Sequence, residues 1–366
     1  MRTRLRATRW AAVGDVIEFA DILLEQPPHP FWKTLRQVGI ERAVGILPRF
    51  HADWRESTGE RPWDYAPLAH YRDQVAEAGL TLDVIEDNPP MDALRLGRPG
   101  RDEELEAVCT LIRTMGVLGI RVWCYNWMPV LGWLRSSLAV SSRGGATVSG
   151  WELKRLANWP LTPAGAVDSE TLWSNLEWFL ARVCPVAEEA GVVLAMHPDD
   201  PPVSPIRGIA RIMSSVESFE RLLGLSSSSA NAVTFCQGNF TLMTDDVPGL
   251  IREFGRRIAF VHFRDVRGTP ERFVETFHDN GQTDMFACMR AYRDINFNGV
   301  IRVDHVPTLE GDVASVAGYS HQGRLHAIGY MAGLRDAVYA ESATRHDVQA
   351  SGGREDGSAP TLSTHV

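Results

Sequence analysis

The chain has 366 residues, with 37 Lys and Arg against 46 Asp and Glu and no clustered basic stripe, which excludes the charge pattern of a nucleic-acid partner. Five cysteines without paired spacing fit a reducing compartment better than a disulfide framework. The basic N-terminus is interrupted by Asp15, Glu18 and Asp21 before an export signal or a spanning helix is complete, so a cytoplasmic protein with no membrane anchor is expected.

Along the chain, short β-branched runs alternate with longer segments of helical period, the pattern of a parallel sheet with crossover helices. A weak strand over residues 4–10 precedes a helix over 31–38. Strands follow at 43–47, 80–86 and 119–125, separated by helices over 65–78 and 102–115. After a long Trp-, Ser- and Gly-rich stretch (127–168) comes a helix over 169–190. The remaining strands fall at 192–197, 232–237, 258–264 and 299–304, and the remaining helices at 215–223, 245–254, 284–294 and 319–339. Gly39, Gly79 and Gly191 stand where a left-handed residue would end a helix just before a strand.

Eight strands are the number that closes a barrel, and no long linker divides them, so the chain is expected to be a single-domain (β/α)8 TIM barrel over 1–340. The stretch after the fourth strand is expected to be a functional lid or a disordered insert. The last residues, 341–366, are rich in Ser, Gly and charge and are expected to form a disordered tail.

Parallel barrels carry their active sites at the C-terminal ends of the strands, where the following loops converge. The fifth strand ends at His197, the sixth reaches Cys236, the seventh carries His262 and the eighth ends at Asp304 and His305. Imidazole, thiolate and carboxylate are the donors of a borderline divalent ion, so His197, Cys236, His262 and Asp304 are read as a metal set. That mixture favours Mn2+, Fe2+, Co2+ or Zn2+ over Mg2+, without excluding the last. A lone buried cysteine is more often inert packing, and a histidine at a strand end is often a loop cap; four such residues in corresponding positions are harder to assign to chance. Tyr125 and Asn126, with Glu86, Asp87 and Asn88, are candidates for reading sugar hydroxyls. Arg264, Arg302 and His278 are candidates for anchoring a carboxylate, although Arg302 suits a structural ion pair equally well.

At these residues the sequence resembles the mannonate dehydratase family, metal-dependent lyases of the xylose-isomerase-like barrel superfamily. The resemblance is carried by CPVAEEAGVVLAMHPDDPP (184–202), CQGN, FVHFRDV and RVDHVP, with further likeness in VIEDNPP, CYNWMPVLGW, FHDNGQTDM and AGYSHQGRLHAIGYMAGL; it covers roughly residues 80–334. It implies one divalent ion, with Mn2+ or Fe2+ first, on the four ligands above, and acid/base roles for His305 and Tyr319. The implied reaction removes water from D-mannonate to give 2-keto-3-deoxy-D-gluconate, so the partner is a small sugar acid; a homo-oligomer is also expected.

The sequence departs from the family pattern in two places. Pro307 stands where a motif histidine is expected, and LGWLR replaces Phe-Asp-Trp-Thr-Arg, so that Gly132 and Leu134 stand for an acid and a threonine. These changes bear on which sugar acid fits. Two other functions compete: a metal-dependent sugar isomerase or epimerase of the same superfamily, and a relative that binds without catalysing. Carboxylate-dominated ligation would favour the first of these, and a His305 or Tyr319 turned away from the metal would favour the second.

Overall fold

The computed structural model describes residues 16–25, 27–48, 59–312 and 316–352. Eight parallel strands close into a barrel in the order β1 (Glu18–Leu23), β2 (Arg42–Gly45), β3 (Thr81–Ile85), β4 (Val122–Asn126), β7 (Val193–His197), β8 (Asn231–Cys236), β9 (Ile258–Phe263) and β12 (Val300–Val303). The helices that flank them are α1 (Pro30–Gln37), α2 (Tyr65–Glu77), α3 (Asp92–Leu96), α4 (Arg101–Leu118), α5 (Ser169–Ala190), α6 (Val216–Leu225), α7 (Gln237–Thr241), α8 (Val247–Phe254), α9 (Met285–Asp294) and α10 (His321–Gly352). Gly39, Gly79 and Gly191 have positive φ at the expected reversals between helix and strand. No helix among the described residues is long and apolar enough to cross a membrane.

Alternation along each strand builds two cores. One set of side chains fills the lumen, including Ala20, Val44, Val84, Cys124, Ala195 and Phe260. The other set, with Trp123, Tyr125, Leu194, Phe235 and Val261 among it, packs outward under the helices. In four strands the lumen row continues upward from Ala195, Thr234, Phe260 and Arg302 to His197, Cys236, His262 and Asp304. Period-two geometry therefore delivers all four to the C-terminal mouth.

The first barrel strand differs from the expected one. Residues 4–10 lie outside the described residues, and the barrel closes instead through Glu18–Leu23, paired with β2 and β12. The acids that obscure this strand in the sequence have partners from distant segments. Buried Asp21 accepts from Arg324 of α10 at 2.9 Å, and Glu18 pairs with Arg42 at 2.9 Å. The last helix begins after Tyr319, not at it, and runs as helical backbone to Gly352; residues 353–366 lie outside the described residues.

The stretch after β4 is ordered structure of its own. It supplies β5 (Ser137–Ser141) and β6 (Thr147–Glu152), which join β10 (Val266–Thr269) and β11 (Arg272–Glu275) from the loop after β9 in an antiparallel sheet ordered β10-β11-β6-β5. Trp151, Phe273, Val266 and Leu242 form the apolar contact that seats this accessory sheet.

Candidate metal centre

The four expected donors converge. His197 Nε2 and His262 Nδ1 are 3.2 Å apart, and Cys236 Sγ lies within 4.8 Å of donor atoms of both. Asp304 Oδ2 is 3.8 Å from Cys236 Sγ and 3.8 Å from His262 Nδ1. A tetrahedral shell with ligands at about 2.1 Å has edges of about 3.4 Å, so these spacings are those of donors around one ion.

The tautomers point the same way. His197 Nδ1 lies 2.6 Å from the Pro198 carbonyl oxygen, which only accepts, so Nδ1 holds the proton and Nε2 presents a lone pair. His262 Nε2 lies 3.2 Å from Glu86 Oε2, which leaves Nδ1 bare. Two lone pairs thus face one another at the 3.2 Å already given. A proton would relieve this, but burial, with His262 next in weight, pushes the His197 pKa down to about 3, and burial also lowers His262. His262 Nδ1 has one long contact from Arg302 Nη2 at 3.4 Å; a metal cation would satisfy both facing nitrogens at once, and the residues present fit one.

The charges around the donors agree. Burial works to raise the Glu86 pKa, but Arg302 and His262 bring it down to about 2, so it is an anion that orients His262 from outside the donor set. Burial opposes ionisation of Asp304 as well, and His305, Arg302, His262 and Arg264 hold it well below the usual carboxylate range. Burial pushes the Cys236 thiol well up. Thiolate formation there needs a cation, as metal coordination provides.

Above the donors lies a cavity of about 340 Å³ whose wall includes His197, His262, Asp304, His305, Trp133 and Tyr319. The Tyr319 hydroxyl donates to Asp304 Oδ1 at 2.6 Å, and the His305 and Tyr319 rings stand edge to face with centroids 5.5 Å apart. The structure thus brings the metal set and both expected acid/base residues to one mouth. Asn126 also lines the cavity, with its side-chain oxygen accepting from Arg95 at 3.0 Å.

Arg302 lies in the wall as an ion-pair residue, bound to Glu86 at 2.7 Å and to Asp304 at 2.9 Å. Three other expectations are corrected. Although Tyr125 is part of the wall, strand alternation turns its ring to the outer face, where it stacks on Trp123 and packs near Phe179. His278 is buried outside the cavity, its Nε2 2.6 Å from the Phe263 carbonyl oxygen. Arg264 is fully buried behind His305 and committed to Asp200, Asn239 and Glu275, so it has no face for substrate.

Arg264 belongs to a cluster that the sequence reading did not single out. Arg135 and Arg264 both clamp Asp200 and Glu275, and His305 joins them. A Cβ at Gly238 would stand 2.4 Å from Arg264 Nε, so the glycine of CQGN is what lets this guanidinium pass. The available signal was the alternation in RFVE, which puts a lone acid, Glu275, in register with inward Phe273.

Comparison with known proteins gives the family and the fold. The family model for D-mannonate dehydratase (UxuA) matches residues 32–160 and 145–345. The chain is 35% identical to a mannonate dehydratase of Oceanobacillus iheyensis over 309 residues, 77% of this chain and 88% of that protein. It superposes on the crystal structure of mannonate dehydratase from Streptococcus suis with a TM-score of 0.81 and 30% identity, covering 90% of this chain and 96% of that one. A D-psicose 3-epimerase from Clostridium cellulolyticum has a TM-score of 0.54, 13% identity and coverage of 90% and 99%, and shares the barrel fold alone. The chain belongs to the D-mannonate dehydratase family.

Proposed function

We propose that this protein dehydrates D-mannonate to 2-keto-3-deoxy-D-gluconate, with one divalent ion, Mn2+ or Fe2+ first, held by His197, Cys236, His262 and Asp304. The observation that carries the reading is the pair of facing imidazole lone pairs beside a thiol and a carboxylate, with His305 and Tyr319 over the same cavity. A divalent ion would neutralise the substrate carboxylate and its neighbouring hydroxyl, which makes the proton on the adjacent carbon easier to remove.

The chain's own residues handle the two protons. Burial, reinforced by Asp304, pushes the Tyr319 pKa well above 10, so the phenol keeps its proton in the resting site; as donor to the leaving hydroxyl it depends on cationic charge that opposes this rise, as Arg302 does. His305 then serves as acceptor for the proton on the carbon beside the carboxylate. Asn126, Asp87 and Asn88 line the cavity as partners for the remaining hydroxyls. A cytoplasmic location fits the five cysteines without paired spacing, and the same reading has the enzyme as a homo-oligomer.

An isomerase reading is disfavoured because one carboxylate, not several, stands in the donor set, and Glu86 is engaged with His262 and Arg302. A purely binding role is disfavoured because both His305 and Tyr319 line the cavity. The test is an anaerobic assay of protein supplied with Mn2+ or Fe2+ against a panel of hexonates, scoring 2-keto-3-deoxy acid. Turnover of D-mannonate is expected; ketose isomerisation with no dehydration of any acid would overturn the reading.

A further inference from the structure

His305 sits at the turn after β12 with φ 36°, a left-handed conformation that a non-glycine residue holds only where its surroundings enforce it. The turn places its two ring nitrogens in different environments. Nε2 is 3.8 Å from Asp304 Oδ1, on the side of the donor set, and the ring meets Trp133 edge to face at 5.5 Å. Nδ1 is 3.0 Å from Glu275 Oε1.

Glu275 is not a barrel residue. It ends β11 in the accessory sheet, is 2% exposed, and is clamped there by Arg135 and Arg264. Its Oε2 has no hydrogen-bond partner among the described residues, and its contacts with Arg135, Arg264 and His305 all run through Oε1. Arg264 also touches Nδ1, and Arg135 Nη2 stands 3.4 Å from it. The carboxylate and the two guanidiniums make opposite demands: a carboxylate requires Nδ1 to carry the proton, whereas a guanidinium donating to Nδ1 requires it to be bare. If His305 accepts a proton from substrate, as in the function proposed above, Nε2 must be the bare nitrogen, and only the carboxylate arrangement allows that.

We propose that Glu275 is a positioning residue for His305: its carboxylate holds the Nδ1–H tautomer and the ring orientation, and so presents the Nε2 lone pair to the substrate. The accessory sheet is thereby part of the catalytic apparatus and not only a cover over the barrel mouth. Arg135, from the stretch before β5, fixes Glu275 in turn, which couples both long loops to one ring nitrogen.

The test is a double-mutant cycle on the metal-loaded enzyme with E275Q, H305N and the E275Q/H305N pair, together with E275D. E275Q should lower kcat by on the order of a hundredfold, leaving KM and bound metal within about threefold. The pair should be no slower than H305N alone, and E275D should recover at least about tenfold of the loss. Additive losses in the pair, or an unaltered kcat in E275Q, would overturn the proposal, because a merely structural wall contact would act independently of the histidine.

A second measurement does not need turnover. In zinc-loaded, histidine-labelled protein, the 15N spectrum of His305, assigned by its absence in H305N, should show an Nδ1–H imidazole that changes in E275Q. An Nε2–H tautomer in the unmutated protein would overturn the proposal in favour of the guanidiniums of Arg264 and Arg135 as the partners. If no hexonate is dehydrated by the unmutated enzyme, the functional reading fails, and this spectrum alone decides the role of Glu275.

Discussion

Tyr319 and Asp304 divide one carboxylate between two tasks: the phenol donates to Oδ1 at 2.6 Å, while Oδ2 faces Cys236 and His262 at 3.8 Å each. Arg302 also donates to Oδ1 at 2.9 Å, so that oxygen keeps a partner when the phenol is removed. Tyr319→Phe should therefore leave metal content nearly unchanged and lower kcat by about a hundredfold or more, the usual cost of losing a general acid. Metal analysis beside steady-state kinetics checks this; parallel loss of metal would make Tyr319 a support for Asp304 instead.

Cys236 and His305 should separate in the opposite sense. Cys236 is completely buried within the donor set, and Cys236→Ser replaces a soft donor with a weak one that does not ionise. Bound metal and turnover should fall together. His305→Asn should keep the metal and lose turnover. Elemental analysis of both variants after identical loading decides it, and an inert Cys236→Ser would count directly against the thiolate.

Tyr125 tests the division between lumen and outer layer. Its hydroxyl is buried with no hydrogen-bond partner among the described residues, while its ring packs on Trp123 and near Phe179. Tyr125→Phe should keep kcat/KM within about twofold and leave the protein equally stable or more stable by up to about 1 kcal/mol, since an unsatisfied buried hydroxyl is removed. Phe179→Ala, which empties the same layer, should cost about 3–5 kcal/mol. Thermal or urea unfolding of the two variants gives the comparison, and a Tyr125→Phe enzyme with lost turnover would place the phenol in the site after all.

The metal-free protein should lose stability in mild acid. Burial pushes His197 down to about 3 and His278 down to about 4, against an ordinary value near 6.5 in the unfolded chain. Between those values the unfolded state binds more protons than the folded one. The histidine contribution is therefore at its full value above pH 6.5 and declines as pH falls through 6.5 toward 4, by up to about 1.4 kcal/mol per pH unit for each histidine, offset in part below about pH 6 by Asp265, whose carboxyl pKa is raised by burial to about 6. Urea midpoints of the apo-protein at pH 7.5, 6 and 5 should fall in that order. Saturating metal should flatten the His197 part of the slope, and a midpoint that does not move with pH would contradict the buried neutral histidines.

Much of this protein was legible before any coordinates. The candidate metal set was readable because strand ends are local features: His197, Cys236 and His262 lie at or near the ends of runs that identify themselves as strands, and Asp304 directly follows another. The first strand was not legible, since Asp21 reads as a polar interruption unless one knows that Arg324, about three hundred residues later, neutralises it. Tyr125 was misplaced by a single step of register: its neighbours Cys124 and Asn126 face inward, and only pairing with β7 settles which face each residue takes.

Sequence by itself determined the alternation of strands and helices, the closure number of the barrel and the candidate donors at its rim, because hydrophobic period and residue chemistry are properties of short segments. Tertiary structure alone decided that the two long loops pair into one antiparallel sheet, and that this sheet brings Glu275 and Arg135 to His305. The physical reason is that pairing between β6 and β11 joins segments more than a hundred residues apart, and contacts across such a separation leave no periodic trace in either segment.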